Sequence, residues 1–239
     1  MPRVGPDAAT SACSKPEVRN LKEAQSNKTV TQLVLATRNA GKILEVERLL
    51  STHAPQIKLR SVAEFNLDDV EETGDTFEAN ALLKAETIAR QTGLPALADD
   101  SGIAIDALGG SPGVYSARWA GVHGDDEANL AKVLQELENT ADADRGAQFV
   151  CVIALALPDG RSMTVRAEVE GQVRRIPVGN QGFGYDPIFQ PVGFSITTAE
   201  MSPEEKDAIS HRGKALREIA PKIAPFIGAY KPILWRCRR

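Results

Sequence analysis

The sequence predicts an α/β domain built on a mixed β-sheet, and two observations carry this prediction. Apolar strand-like segments alternate with amphipathic helical segments early in the chain, an order typical of parallel βαβ units. Further along, residues 147–171 contain an apolar run, a Pro-Asp-Gly turn and an alternating segment, which together predict a long antiparallel hairpin. A sheet that contains both units is mixed.

The first elements follow from hydrophobic spacing. Residues 32–37 (QLVLAT) predict a short strand, and residues 57–65 predict a second one. Between them, residues 41–53 carry apolar side chains with the period of an amphipathic helix, at 43, 44, 46, 49 and 50. A second helix is predicted over 75–93, with Asp75 as its N-cap and Gly93 at its end.

Residues 96–105 (ALADDSGIAI) raise a chemical question. The pattern predicts two short strands, 96–98 and 103–105, around an acidic turn made of Asp99, Asp100, Ser101 and Gly102. An ionised carboxylate beside an apolar core costs several kcal/mol unless a cation or hydrogen-bond donors offset it. A divalent metal ion is one such offset, so this stretch is a candidate for chemistry.

The later elements define the predicted domain. A tight turn at 108–113, a helix over 125–139, the hairpin, and a last helix over about 210–227 follow in order. Ser202, Pro203 and Glu205 form a capping-box helix start. One domain is expected over 31–228. Residues 1–30 are interpreted as a disordered extension, with an organelle presequence as the alternative, and residues 229–239 as a disordered tail or a contact strap.

Composition excludes several classes of protein. The 239 residues have a formal net charge of −4, which disfavours a general nucleic-acid or membrane-surface binder. The three cysteines, Cys13, Cys151 and Cys237, form no C-x-x-C pair, so neither a disulfide framework nor a zinc site is indicated. No apolar run approaches the roughly 18 residues of a membrane span. We therefore expect a cytoplasmic protein without a nucleic-acid or membrane partner.

Two stretches in the first half are candidates for phosphate and metal binding. Residues 36–43 (ATRNAGKI) join a strand to a helix, where free N–H groups and Lys42 favour phosphate; a surface turn with a solvated lysine is the alternative. Residues 68–74 (DDVEETG) are acidic, and Glu71 or Glu72 with Asp99 or Asp100 would suit Mg²⁺, with Lys84 reaching the same cleft. The alternative is that these acids only complement the following helix dipole.

Two stretches in the second half are candidates for contact with a base. In residues 179–189 (GNQGFGYDPIF), Phe183 stands between two glycines and offers a flat face for stacking, unless the stretch is only a structural bend. Residues 210–216 (SHRGKAL) bring His211 and Arg212 to a helix start, with Lys206 one turn earlier. Alone, this pattern is typical of a solvated helix end. The basic positions 42 and 212 are about 170 residues apart, so only the fold can bring them together.

Taken together, these stretches resemble the inosine triphosphate pyrophosphatase family, the Ham-type pyrophosphatases of non-standard purine nucleoside triphosphates. The motifs are TRNAGK, EETGDTFEANALLKA, ADDSGIAIDALGGSPGVYSARWAG, GFGYDPIF and EEKDAISHRGKAL, and they cover about residues 32–220 in the family's order. The resemblance implies a two-lobed α/β fold around a long mixed sheet with a central cleft. It also implies a homodimer and a Mg²⁺-dependent enzyme that splits XTP, ITP and dITP into the monophosphate and pyrophosphate.

The resemblance also assigns roles to positions of this chain. Asp100 matches the catalytic acid, which accepts a proton from the attacking water and binds Mg²⁺, and Glu72 matches the second metal carboxylate. The matching substrate-binding positions are Thr37, Asn39, Gly41, Lys42, Lys84, Ser101, Phe183, Gly184, Tyr185, Asp186, Lys206, His211 and Arg212. Arg38 departs from the pattern, because many members have glycine there, and it adds positive charge beside the phosphates.

Hydrogen bonding gives this assignment a basis for specificity. Purines with a keto group at position 6 present an acceptor to donors from His211 and Arg212, whereas the adenine amino group leaves those donors unpaired. An unpaired buried donor costs about 1–3 kcal/mol, which is roughly 5- to 150-fold per contact. Two alternatives are a nucleotide-binding regulatory module without turnover, which the intact Asp100, Glu72 and Lys42 disfavour, and a nucleic-acid binder, which the net charge disfavours.

Overall fold

A computed structural model of the chain describes residues 31–228, so the extensions predicted at 1–30 and 229–239 lie outside the described residues. The strands are β1 (Thr31–Leu35), β2 (Ile57–Ser61), β3 (Ala96–Ile105), β4 (Gly146–Ala156), β5 (Ser162–Val173) and β6 (Phe189–Pro191). The helices are α1 (Ala40–His53), α2 (Phe77–Thr92), α3 (Asp126–Glu136), α4 (Pro203–Ile209) and α5 (His211–Gly228). Across these residues, no helix combines the length and apolarity needed to cross a membrane.

The six strands form one mixed sheet in the order β2-β1-β3-β4-β5-β6. β1 runs parallel to β2 and β3, whereas β3, β4, β5 and β6 pair antiparallel. The predicted α/β class, the parallel beginning and the β4–β5 hairpin are therefore confirmed.

The short first strand leaves a gap in the sheet. β1 pairs with β3 only at Val34–Ala96 and Leu35–Leu97, whereas β4 pairs with β3 along its whole length. Within residues 31–228, the edge of β3 beyond Leu97 therefore has no strand on the β1 side. This gap lies at the carboxyl end of a parallel strand, which is where open α/β sheets bind ligands.

Helices cover both faces of the sheet around this gap. Buried residues of β1, such as Leu33 and Leu35, pack with α1 and α5 on one face. Their neighbour Val34 packs with α2 on the other face, as the two-residue period of a strand requires. A third apolar cluster joins the far ends of β3, β4 and β5 to α3 and β6. The middle of β3 thus lies between separate core clusters.

The predicted acidic turn at 99–102 is wrong, because β3 is continuous through these residues. Asp99 pairs with Ile153, and Gly102 pairs with Val150. The apolar strand β4 supplies ladder partners for the whole polar stretch, so tertiary pairing overrides the local turn propensity of Asp-Asp-Ser-Gly. The two carboxylates therefore project from a strand rather than from a flexible loop.

Several element boundaries also differ from the sequence predictions. Thr76, not Asp75, is the N-cap of α2, and its Oγ1 accepts the Ala79 N–H at 3.1 Å. The second strand ends at Ser61, because Ser61 and Glu64 form a capping box that starts a short 3₁₀ helix. The third helix ends at Glu136, earlier than predicted. The capping box predicted at Ser202 and Glu205 is confirmed.

Candidate active site

A cavity of 620 Å³ lies beside the middle of β3. Its lining comes from the β1–α1 loop, the segment before α2, α2 itself, β3, and residues around 183–186 and 206–212. The distant basic positions Lys42 and Arg212 therefore meet at one cavity. Of the positions to which the resemblance assigns a role, all but Gly41 line it, and Asp99, the alternative metal ligand, is not part of the lining.

Asp99 and Asp100 project to opposite faces of the sheet, as consecutive strand residues do. On the α1 and α5 face, Asp99 Oδ2 accepts from Arg212 Nη2 at 3.0 Å and lies 3.2 Å from Lys42 Nζ. On the α2 face, Asp100 Oδ1 accepts from Lys84 Nζ at 3.0 Å. The cost of placing two carboxylates beside the core is therefore offset by cationic side chains on both faces of the sheet.

The pKa values of the two neighbouring carboxyl groups are shifted in opposite directions. Burial alone would raise the pKa of Asp99, but Lys42 and Arg212 hold the pKa well below its ordinary value. Burial raises the pKa of Asp100 above its ordinary value, although Lys84 opposes this. Asp99 is therefore fixed in its ionised form, while Asp100 holds a proton more readily.

Lys84 bridges Asp100 to a second carboxylate, Glu72. Lys84 Nζ donates to Glu72 Oε1 at 2.7 Å, and Arg118 Nη1 donates to Glu72 Oε2 at 3.1 Å. Burial alone would raise the pKa of Glu72, but Lys84 lowers it below the ordinary value. The buried Asn80 side chain accepts the Gly74 N–H at 2.8 Å and so fixes the segment that carries Glu72. We call the two carboxylates Glu72 and Asp100, together with the Lys84 that bridges them, the lysine-bridged pair.

The lysine-bridged pair fits a Mg²⁺ ion. Asp100 Oδ2 is buried and has no hydrogen-bond partner within residues 31–228. In the same range, no cluster of three or more His, Cys, Asp or Glu side chains is arranged to hold a metal ion. Mg²⁺ is usually bound through one or two carboxylates and completes its shell with substrate phosphates and water. Glu72 and Asp100 supply that number of ligands.

The β1–α1 loop presents the first turn of α1 to the cavity. Asn39 is the N-cap, and its Oδ1 accepts the Lys42 N–H at 3.0 Å, while Thr37 Oγ1 accepts the Asn39 N–H at 3.2 Å. The first N–H groups of a helix have no partner within the helix, so they remain donors for an anion. A Cβ at Gly41 would overlap the Phe183 ring, so glycine at this position lets the ring pack on α1.

Five charged side chains form a buried ion network at the other side of the cavity. Lys206 Nζ donates to Glu45 Oε1 at 2.7 Å and also to Asp186. Arg212 donates to Glu45 and, from Nη2, to Asp99. Arg212 is only 1 % exposed, so the solvated-helix-end interpretation of this stretch is wrong. We call Glu45, Asp99, Asp186, Lys206 and Arg212 the buried network.

Most N–H groups of the Arg212 guanidinium already donate hydrogen bonds within the protein. Nη2 also donates to Ser101 Oγ at 2.8 Å, and Nε donates to Asp99 at 3.3 Å. A guanidinium has five N–H groups, so these bonds and the one from Nη1 to Glu45 leave one Nη1 N–H without an acceptor in the described range. Arg212 can therefore give a ligand a single hydrogen bond without losing a partner.

His211 is buried and neutral. Burial lowers its pKa well below the ordinary value, and the Arg212 charge lowers the pKa further. Its ring stacks on Phe149 with 4.8 Å between the ring centroids. Nδ1 has no hydrogen-bond partner among residues 31–228. The site therefore contains an imidazole that can distinguish donors from acceptors and does not carry a charge at neutral pH.

The segment 182–186 holds the Phe183 ring at the cavity. Gly182 and Gly184 have φ of +76° and +60°, a region that favours glycine. Asp186 Oδ2 accepts the Phe183 N–H at 2.8 Å, and the Tyr185 hydroxyl donates to the Ser116 carbonyl at 2.8 Å. The structural bend and the exposed face of Phe183 are therefore not alternatives, because the bend places the ring at the cavity.

Three residues of the site were missed in the sequence. Glu45 carried a signal: it precedes the buried Leu49 by four residues, so a charged residue falls on the apolar stripe of α1. Arg118 contacts Glu72 from far along the chain, and Asp126, whose Oδ2 accepts the Gly184 N–H at 2.8 Å, has the position of an ordinary first-turn helix acid. Only the fold shows these two contacts.

The fold and the cavity define an α/β protein whose mixed sheet carries a cleft lined by carboxylates, lysines and aromatic rings. The family model described as "Ham1 family" matches residues 33–222. The chain belongs to the Ham1 family.

Curated relatives and solved structures agree with this membership. A dITP/XTP pyrophosphatase of Streptomyces avermitilis is 52 % identical over 200 residues, which are 83 % of this chain and 100 % of the relative. One from Bacillus anthracis is 47 % identical over 195 residues, covering 80 % of this chain and 96 % of the relative. A HAM1 protein from Coxiella burnetii has a TM-score of 0.74 at 45 % identity, covering 82 % of this chain and 99 % of the other. The Staphylococcus aureus Ham1 protein has a TM-score of 0.72 at 40 % identity, covering 82 % and 100 %.

Proposed function

We propose that the protein hydrolyses the non-standard purine nucleoside triphosphates XTP, ITP and dITP to the monophosphate and pyrophosphate, with Mg²⁺ as cofactor. The observation that supports this most is the convergence of Lys42, the lysine-bridged pair, Phe183 and neutral His211 on one cavity. The relatives named dITP/XTP pyrophosphatases act on the same class of substrate. This reaction removes damaged nucleotides from the pool.

The phosphate tail lies, in this proposal, against the start of α1 and the lysine-bridged pair. The N-terminal amides of α1 and the side chain of Lys42 supply positive potential on one side, and Lys84 supplies it on the other. Phosphoryl transfer needs mainly positioning and neutralisation of charge, because little covalent work falls to the protein. Such groups meet that need.

Asp100 accepts a proton from the water that attacks a phosphorus of the α–β bridge, and the P–O bond of that bridge breaks to give the monophosphate and pyrophosphate. Its raised pKa makes it a better base than an ordinary aspartate, whereas the low pKa of Asp99 makes that carboxylate a poor one. Lys84 holds Asp100 Oδ1, so Oδ2 is left to take the proton or a ligand. Glu72 and Asp100 would hold Mg²⁺, which lowers the pKa of bound water and neutralises phosphate charge.

The purine base stacks, in this proposal, on Phe183 and is read by His211 and the remaining Arg212 N–H. A keto group at position 6 accepts from these donors, whereas an amino group leaves them unpaired. That mismatch costs about 1–3 kcal/mol per contact, which is the basis for preferring ITP over ATP.

We further propose a homodimer in the cytoplasm. Large apolar side chains at Ile176, Val192 and Phe194 are exposed and would be covered if they lie in the contact between two subunits. The odd number of widely spaced cysteines favours a reducing compartment. Light scattering after size exclusion tests the dimer: a monomer mass at micromolar concentration contradicts it.

One assay tests the activity. The enzyme is incubated with ITP, XTP, GTP or ATP, with Mg²⁺ or with EDTA, and the products are identified by chromatography. Pyrophosphate with IMP or XMP, formed only with Mg²⁺, is the expected result. Orthophosphate with a diphosphate product contradicts the proposed bond cleavage, and binding without turnover indicates a regulatory nucleotide-binding module.

A further inference from the structure

Arg38 and Asp69 form an exposed ion pair on the lining of the cavity. Arg38 directly precedes the N-cap of α1, and Asp69 lies in the acidic segment before α2. Nη1 of Arg38 donates to Asp69 and Nη2 donates to the Leu67 carbonyl. The pair therefore ties the phosphate-loop region to the acidic segment, and both side chains face the cavity.

This pair differs from the other ion pairs of the cavity in its exposure. The Arg38 and Asp69 side chains are 40 % and 82 % exposed, whereas those of Lys84 and Asp100 are 12 % and 6 % exposed. An exposed pair contributes little free energy, because water already solvates both charges. Arg38 can therefore leave its partner at small cost, while Lys84 cannot.

A phosphate group is a stronger partner for Arg38 than Asp69 is. Arg38 donates to Asp69 from Nη1 alone, while its Nη2 donates to the neutral Leu67 carbonyl, whereas the planar guanidinium can match two phosphate oxygens at once with charge-assisted bonds. A pyrophosphate or triphosphate group also carries more negative charge than one carboxylate. The exchange of partners is favourable for these reasons.

We propose that Arg38 is a phosphate-binding residue that exchanges Asp69 for the pyrophosphate portion of the nucleotide, so that Asp69 competes with the substrate. This inference rests on the proposed function, since it concerns the same site. In this proposal Arg38 favours phosphate binding and Asp69 disfavours it, although the two side chains are bound to each other in the structure. If the ion pair only held the two loops together, both residues would favour phosphate binding.

The two interpretations predict opposite signs for Asp69. Arg38→Ala should raise the dissociation constant for pyrophosphate about tenfold, through loss of a charge-assisted contact. Asp69→Ala should lower it about two- to fivefold, because the competing carboxylate is gone. The double variant should resemble Arg38→Ala, since Asp69 acts only through Arg38.

The chain offers a matched control pair. Arg175 and Asp142 are 50 % and 79 % exposed, and Arg175 also donates to the backbone carbonyls of Glu138 and Thr140. Neither residue lines the cavity. Arg175→Ala and Asp142→Ala therefore remove an equally exposed pair without touching the site, and both should leave pyrophosphate binding unchanged.

The experiment is titration calorimetry of the full-length protein and these variants with sodium pyrophosphate and Mg²⁺, alongside KM for ITP and product analysis of the wild type. Opposite shifts for Arg38→Ala and Asp69→Ala, with silent controls, support the inference. Weaker binding in both variants indicates a structural tie and overturns it, as does no change in either or no pyrophosphate binding by the wild type. Failure of the wild type to release pyrophosphate from ITP overturns the proposed function alone, because the calorimetric shifts are read without turnover.

Discussion

The buried network and the lysine-bridged pair use the same residue types in different ways. In the buried network, Glu45 and Asp99 each face two cations, and their pKa values are lowered, that of Glu45 to about 2. In the lysine-bridged pair, one lysine serves two carboxylates, and the pKa of Asp100 is raised. The cations of the first arrangement hold its carboxylates in the ionised form, although Asp99 Oδ1, like Asp100 Oδ2, is buried without a hydrogen-bond partner among residues 31–228. We propose that a ligand completes the second arrangement.

This difference indicates a structural role for the buried network and a chemical role for the lysine-bridged pair. A compensated buried charge holds its neighbours in place and is costly to remove. A carboxylate whose pKa is raised by burial destabilises the folded state slightly at neutral pH and binds a proton or a cation more readily than one whose pKa is lowered. In the proposed function, the buried network therefore supports the base-binding side of the cavity, and the lysine-bridged pair forms the reactive, phosphate-binding side.

Asp100→Asn should produce the largest effect on activity. The amide cannot accept the proton from water, so we expect kcat for ITP to fall about 100- to 10,000-fold. Product formation followed by chromatography measures this. Asp75→Asn, at an exposed position that does not line the cavity, is the control and should retain wild-type turnover. Wild-type turnover in Asp100→Asn removes this residue from the mechanism.

Among substitutions in α1, Glu45→Gln should lower the free energy of unfolding most. It leaves Lys206 and Arg212 with one carboxylate fewer in a buried setting, so we expect a loss of about 3–5 kcal/mol in urea unfolding. The exposed neighbour Glu47→Gln is the control. An equal, small effect in both variants would show that the network contributes nothing to the fold.

The pH dependence sharpens this prediction. The pKa of Glu45 is about 2 in the folded state against an ordinary 4.5, so the unfolded state binds the proton more readily. The stabilisation is complete above pH 4.5 and is lost as the pH falls towards 2. The gap between wild type and Glu45→Gln should shrink in the same window, and a constant gap would contradict the ion-pair explanation.

Lys84→Gln should shift the acid limb of the pH–rate profile. Burial raises the pKa of Asp100 and Lys84 opposes this, so removing the lysine raises the pKa further. Because the base must be ionised, kcat/KM falls as the pH drops through this pKa. We expect the limb to move to higher pH in Lys84→Gln and to stay in place in the exposed control Lys222→Gln. A shift to lower pH contradicts the role of Lys84.

Gly41→Ala should have the smallest of these effects. The added Cβ overlaps the Phe183 ring, which must move, and overpacking of this kind costs about 1–3 kcal/mol. We expect a higher KM for ITP with a smaller change in kcat. Gly228→Ala is the control, because a Cβ there meets open space. An unchanged KM would show that the position of the ring does not matter for binding.

Local patterns were sufficient to predict most helices, the hairpin and the mixed sheet. They failed at Asp99–Gly102, where the residues suit a turn but the apolar partner strand β4 imposes a ladder. The same limit applies to the site. Lys42 and Asp100 carried signals in their own segments, whereas Arg118 and Asp126 act through contacts that only the fold creates. The opposite pKa shifts of the two aspartates depend on which face of the strand each occupies, which a turn would not have specified.

The most direct test of the separate roles of Asp99 and Asp100 is the free energy of unfolding of Asp99→Asn and Asp100→Asn, measured side by side in urea at pH 7. Asp99→Asn leaves Lys42 and Arg212 undercompensated, so we expect a loss of about 3–5 kcal/mol. Asp100→Asn removes a carboxylate whose ionised form burial disfavours, although it also leaves Lys84 with Glu72 as its remaining carboxylate partner, so we expect a clearly smaller loss than in Asp99→Asn. Equal losses in the two variants would contradict the division between scaffold and reactive carboxylate.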